Sequence, residues 1–250
     1  MTGKESVVRP FLGVAIEGIS PPSDLRRVVE RLKTVGRYIQ DDYPRGEIFD
    51  DTFSHELRCI GTARWLSGRY PGLIGFDFDL LERILWLHDL GELSLEHDLT
   101  AVEQARNREV VGKKRERERE TINGLLTADD LRLIEEVERA GQVIKEGGRW
   151  ERVLPEAAVA YIIDKTDSNM CFHHWVSKSG EVFPEDSLMF TFAQYRRFTS
   201  SLDACPIESV LVIGRELLEE QLKFVVDSWT VVPETRRPGV IREQLDLIRP

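Results

Sequence analysis

The stretch Asp77–Glu92, DFDLLERILWLHDLGE, decides how this chain is read. Leu81, Ile84, Leu85 and His88 recur at i, i+3, i+4 and i+7, the spacing of one face of an α-helix. Aspartates at 77 and 79 sit where such a helix begins. The pattern therefore predicts a helix with a histidine on its apolar stripe, Asp89 beside it and Glu92 one turn further along the same face. Neighbouring residues on a helix are rotated by about 100°. His88 and Asp89 can share one ligand only if it lies between their two directions.

Upstream, a second helical pattern runs from about 51 to 71, with His55, Cys59, Ala63 and Leu66 along one face. Before it, Ser23 and Asp24 offer N-cap chemistry for a helix carrying Leu25, Val28, Val29, Leu32 and Ile39. That helix is expected to reach Asp42, where Tyr43-Pro44-Arg45-Gly46 breaks it. Downstream, Pro155 suits the first turn of another helix, whose inner face holds Ala157, Ala160, Tyr161, Asp164 and Cys171. Asp164 interrupts that apolar stripe, and a buried carboxylate is costly unless it is paired or metal-bound.

Two more helices are expected near 186–202 and 207–228, the second with Val210, Ile213, Leu217 and Leu218 inward. Strand signals are sparse, so the chain reads as all-α. The expected organisation is an irregular lead over 1–22, a core over 23–178, helices packed on it over 179–230, and a tail over 231–250 that embraces a partner subunit. The alternating charges of Glu116–Glu120 read as a solvated helix face.

Composition limits the function. The 250 residues hold 34 Lys plus Arg against 44 Asp plus Glu, a net charge of −10. Such a surface lacks the attraction on which nucleic-acid binding relies. No window approaches the roughly 20 apolar residues of a membrane span, and no signal peptide is expected. Cys59, Cys171 and Cys205 are odd in number and widely spaced, which argues against a disulfide framework and suits a cytoplasmic protein.

Two of the five histidines, His55 and His88, thus fall on inner helical positions, and with Asp89 and Asp164 they form a set of two imidazoles and two carboxylates. Those donors suit one catalytic divalent cation with positions left for water and substrate, whether Mn, Co, Fe, Zn or Mg. His173 and His174, near the end of their helix, read as surface or interface residues.

The order His55, His88-Asp89, Asp164 resembles the HD superfamily of metal-dependent phosphohydrolases, over about residues 25–175. The stretch Arg31–Tyr38, RLKTVGRY, is similar to the segment that precedes the first metal histidine in the 5′-deoxynucleotidase branch. The resemblance implies an HD-domain helical bundle, a homodimer and a nucleotide substrate. It assigns His55, His88, Asp89 and Asp164 to the metal, Arg37 to the phosphate and Tyr38 to sugar or base. It assigns Glu92 to orienting the nucleophile and Asp98 to protonating the leaving oxygen. The implied reaction is hydrolysis of (deoxy)nucleoside 5′-monophosphates. A phosphodiesterase or pyrophosphohydrolase of a signalling nucleotide shares the metal set, with His97 as an extra candidate ligand, and a silent nucleotide-sensing protein keeps the fold. The chain departs from the branch at Glu96-His97-Asp98, where a Gly-Asp pair is usual, and at Tyr38, where a Trp is usual.

Overall fold

The computed structural model describes residues 16–37, 50–94, 108–179 and 185–248. The architecture is all-α, with one two-residue antiparallel pairing among the described residues. The helices are α1 (Arg26–Val29), α2 (Thr52–Arg69), α3 (Phe78–Leu87), α4 (Arg108–Asn123) and α5 (Ala128–Glu146), then α6 (Pro155–Ser179), α7 (Glu185–Asp203), α8 (Glu208–Thr230) and α9 (Gly239–Ile248). No described helix is long and apolar enough to cross a membrane. The chain divides into two compact units, Met1–Glu138 and Arg139–Pro250.

In the first unit, the expected long helix ahead of residue 42 is much shorter. α1 tightens into a 3-10 turn over Glu30–Thr34, and Val35 is already extended. Thr34 turns its hydroxyl back onto the Arg31 carbonyl at 2.8 Å, satisfying a group the helix leaves open. The expected stripe still buries Leu25, Val29 and Leu32. Asp24 does not cap this helix; its carboxylate meets Arg83 at 2.7 Å instead, and that guanidinium holds the Asp24 carboxyl below its ordinary range. Gly36–Arg37 (β1) then pairs with Asp50–Asp51 (β2), Gly36 opposite Asp51 and Arg37 opposite Asp50.

Asp51 caps α2 by accepting from the Ser54 amide at 2.7 Å, and Asp77 caps α3 by accepting from the amides of Asp79 and Leu80 at 3.0 Å. The two helices pack on each other, Ile60, Leu66, Leu81, Ile84 and Leu85 are all buried, and Arg64 and Glu82 join at 3.0 Å at the surface. Arg83 of α3 forks onto Asp130 at 2.8–3.0 Å, and Thr127 donates to the same carboxylate at 2.8 Å while capping α5. Glu116, Arg117, Arg119 and Glu120 of α4 are exposed, as a solvated face requires.

In the second unit α6 is buried nearly all round, from Ala157 to Phe172, and α8 packs along it. Close approach is set at Gly214, where a Cβ would stand 2.9 Å from the Leu202 side chain and 3.3 Å from Ile162. α7 and α8 match the two expected C-terminal helices to within two residues. The expected tail is different: Gly239–Ile248 is helical and buries Val240, Ile241 and Leu245, with α9 lying against α7. Pro238 stands immediately before its start, where a missing N–H costs nothing.

Candidate metal centre

α2 and the end of α3 build the site. α2 places His55, Glu56 and Cys59 in the interior, each fully buried. α3 ends at Leu87, so His88 is its C-cap and Glu92 lies in a following 3-10 turn, Leu90–Ser94, rather than one helical turn further along the same face. The turn matters, because it lets the Asp89 carboxylate swing back onto the two imidazoles. Asp89 Oδ2 lies 3.6 Å from His55 Nε2 and 3.4 Å from His88 Nε2, and the two rings are 5.6 Å apart.

These separations are long for hydrogen bonds. They match two donors that each reach a shared cation at roughly 2.0–2.2 Å. The tautomer is also fixed for such a role. His88 Nδ1 lies 2.7 Å from the Leu85 carbonyl oxygen. A carbonyl only accepts, so Nδ1 carries the proton and Nε2 keeps its lone pair, the arrangement that metal-ligating histidines adopt.

Glu56 is the residue that apolar spacing does not single out. Its carboxylate is fully buried and neither oxygen takes part in a hydrogen bond. His88 Nδ1 is 3.5 Å from Glu56 Oε2, but its proton is already given to Leu85. Burial pushes the Glu56 carboxyl above its ordinary range, against the opposing pull of His88. Two donor groups therefore overlap here: His55, Cys59 and His88, and Glu56, His88 and Asp89. Each brings its ligand atoms within 4.8 Å of one another. No sequence signal marks Glu56; it is the burial of both faces of α2 around His55 that takes its carboxylate into the interior.

Glu92 is buried and tethered. Thr52 Oγ1 donates to its Oε2 at 3.0 Å, and Lys114 Nζ stands 3.6 Å from its Oε1 and 3.4 Å from Glu118. Lys114, on α4, is a second residue that sequence spacing did not single out. Gly91 makes this approach of α4 possible, since a Cβ there would stand 2.8 Å from that of Glu118.

The remaining expectations divide. Arg37 has its backbone in β1, not in a helix, and β2 leads directly into α2, which carries His55. Tyr38, His97 and Asp98 lie outside the described residues. Asp164 belongs to the second unit, where it is buried, with Lys165 Nζ 2.6 Å from its Oδ2 and Ser168 at 3.5 Å from its Oδ1. His173 is neither a surface nor an interface residue. It is fully buried, accepts from Trp229 Nε1 at 2.9 Å through Nδ1, and contacts the Thr191 hydroxyl through Nε2. Burial drives its pKa down to about 3, so it stays neutral. His174 is half-buried against Phe224.

Comparison of the chain with protein-family models, curated proteins and solved structures finds no match.

Proposed function

We propose that this chain is a metal-dependent phosphohydrolase of HD type, acting on nucleoside 5′-monophosphates. The observation that carries the reading is the convergence of His55 Nε2, His88 Nε2 and Asp89 Oδ2, at 3.4–3.6 Å, with the His88 tautomer set by Leu85. The buried Glu56 carboxylate, without a hydrogen bond, adds to the case that these donors fit a divalent cation. A cation there would lower the pKa of water and polarise a phosphate oxygen.

The chain's own residues supply the rest. Glu92, held by Thr52 and Lys114, has a fixed carboxylate to accept a proton or orient an attacking water. Lys114 and Arg37 offer positive charge to a phosphate in an otherwise acidic molecule, and the guanidinium offers a planar fork. β1 holds the Arg37 backbone beside the strand that leads into the helix of His55, which supports the phosphate role. Asp98 is the proposed proton donor to the departing oxygen.

The test is phosphate release from chelator-treated protein reloaded with Mn²⁺, Co²⁺ or Mg²⁺, over a panel of 5′-monophosphates, cyclic nucleotides and pyrophosphate-linked nucleotides. The expected result is metal-dependent release from 5′-monophosphates, lost in Asp89→Ala together with the metal. Cleavage of cyclic or pyrophosphate-linked nucleotides alone would assign a signalling hydrolase. Binding without turnover would assign a sensor.

A further inference from the structure

Resting on that metal-centre reading, we propose that Glu56 is itself a metal ligand, so that the first unit alone carries a four-residue donor set of His55, Glu56, His88 and Asp89. Nothing in the order His, His-Asp, Asp leads to Glu56; the structure does. Its side chain is fully buried, and neither carboxylate oxygen takes part in a hydrogen bond. Leaving a carboxylate in that state is among the costliest arrangements a protein interior can hold. What ties it to the candidate centre is that Glu56, His88 and Asp89 place one ligand atom each within 4.8 Å of one another. Its Oε2 stands 3.5 Å from His88 Nδ1, the ring nitrogen turned to Leu85, so ligation turns the carboxylate toward the Nε2 side of the ring.

Neither a structural salt bridge nor a helix cap accounts for Glu56. A salt bridge needs a cation, and the nitrogen that stands near it among the described residues, His88 Nδ1, has given its proton to Leu85. A helix cap needs a terminus, and Glu56 lies in the interior of Thr52–Arg69. A carboxylate whose attraction is supplied only on metal binding fits both the burial and the missing hydrogen bonds.

The experiment uses the full chain, stripped with a chelator, and compares wild type with Glu56→Gln and Glu56→Asp. Glu56→Gln keeps the volume and removes the charge. Expected first is a melting temperature without metal that is at least as high as wild type, because an unpartnered buried carboxylate is gone. Expected second is a loss of Mn²⁺ affinity greater than about 100-fold by titration calorimetry, with the Mn²⁺-induced rise in melting temperature largely abolished. That exceeds the roughly 10–100-fold cost of losing an outer-shell partner. Expected third is an altered visible spectrum of the Co²⁺-loaded protein, since the donor set has changed. Glu56→Asp keeps the charge and should recover part of the affinity, and it stands in for Glu56→Gln if that variant does not fold. Wild-type affinity and an unchanged Co²⁺ spectrum in Glu56→Gln overturn the inference while leaving the centre standing. A loss within about 10–100-fold, with an unchanged spectrum, overturns ligation in favour of a positioning role. Failure of wild type to take up any of these ions overturns both readings. A metal-binding wild type that hydrolyses no nucleotide overturns the phosphohydrolase alone.

Discussion

His88 Nδ1 donates to the carbonyl oxygen of Leu85 at 2.7 Å, so the last turn of α3 chooses which imidazole nitrogen is available to a ligand. This choice is local and survives without metal. Nitrogen-detected NMR of the metal-free chain should show His88 as the Nδ1–H tautomer. Addition of Zn²⁺ should move the Nε2 resonance while Nδ1 stays protonated. A metal-induced shift centred on Nδ1 would place the ion on the opposite side of the ring, and the His55–Asp89–His88 arrangement would not be the centre.

Thr52 positions Glu92, and the two can be separated experimentally. The Thr52 hydroxyl is fully buried and donates to Glu92 Oε2 at 3.0 Å. Thr52→Val leaves that oxygen without its donor and should cost about 1–3 kcal/mol in urea unfolding. Metal content should not change, because neither residue is in the donor set. Glu92→Gln should likewise retain metal and lower phosphate release by about 100-fold, in the range for loss of a general acid–base group. Metal lost along with activity in Glu92→Gln would make Glu92 a ligand instead.

The buried His173 links acid stability to the second unit. Trp229 Nε1–H donates to Nδ1, so Nε2 carries the proton, and Thr191 passes its own on to the Leu188 carbonyl at 2.9 Å. Every polar atom is satisfied by the neutral ring, and a second ring proton has nowhere to go. The folded pKa, about 3, lies below the ordinary value of 6.5. Between those values the unfolded chain binds a proton that the folded chain does not, so stability falls as pH drops through this window. The slope from this residue is about 1.4 kcal/mol per pH unit, and it is absent above 6.5. Chemical denaturation of wild type and His173→Asn at several pH values should show the difference only below that point. Equal slopes would mean that the folded state admits the proton.

The helices legible in the sequence are those with a clear apolar period: α2 and α3, which also carry the acidic caps Asp51 and Asp77, α6 behind Pro155, and the pair α7 and α8. The period also placed His55 inward correctly, because Cys59, Ala63 and Leu66 share its face and are buried with it. What the period cannot report is where a helix stops. α1 and α3 both end early, and the turn after Leu87 carries Asp89 onto the imidazoles. Continuous helix carries the same period. Glu56 was illegible because apolar periodicity assigns a charged residue to water by default. Only the burial of both α2 faces shows otherwise. α5 is illegible for the reverse reason, since its many charges mask Ala140, Val143 and Ile144, which are buried. His173 was misplaced because a position near a helix end says nothing of the Trp229 ring that covers it, 56 residues away.

Two glycines, one in the turn of Glu92 and one on α4, should respond to alanine with opposite signs. At Gly91, in the turn that carries Glu92, an added Cβ would stand 2.8 Å from the Glu118 Cβ, 3.0 Å from its Cγ and 3.4 Å from its Cα. The nearest atom is rooted in α4, not at the flexible end of a side chain, so the helix itself must move. Overpacking of this kind costs about 1–3 kcal/mol. The movement would also draw Lys114 and Glu118 away from Glu92, so Gly91→Ala should reduce phosphate release by more than its stability loss explains. At Gly112, inside α4, nothing lies within 4 Å of the added Cβ. Alanine there removes only backbone freedom and should stabilise by about 0.5–1 kcal/mol without touching activity. Urea unfolding of both variants reads the two signs directly. If Gly91→Ala is neutral, α4 does not sit against the Glu92 turn, and the tether from Lys114 has to be withdrawn with it.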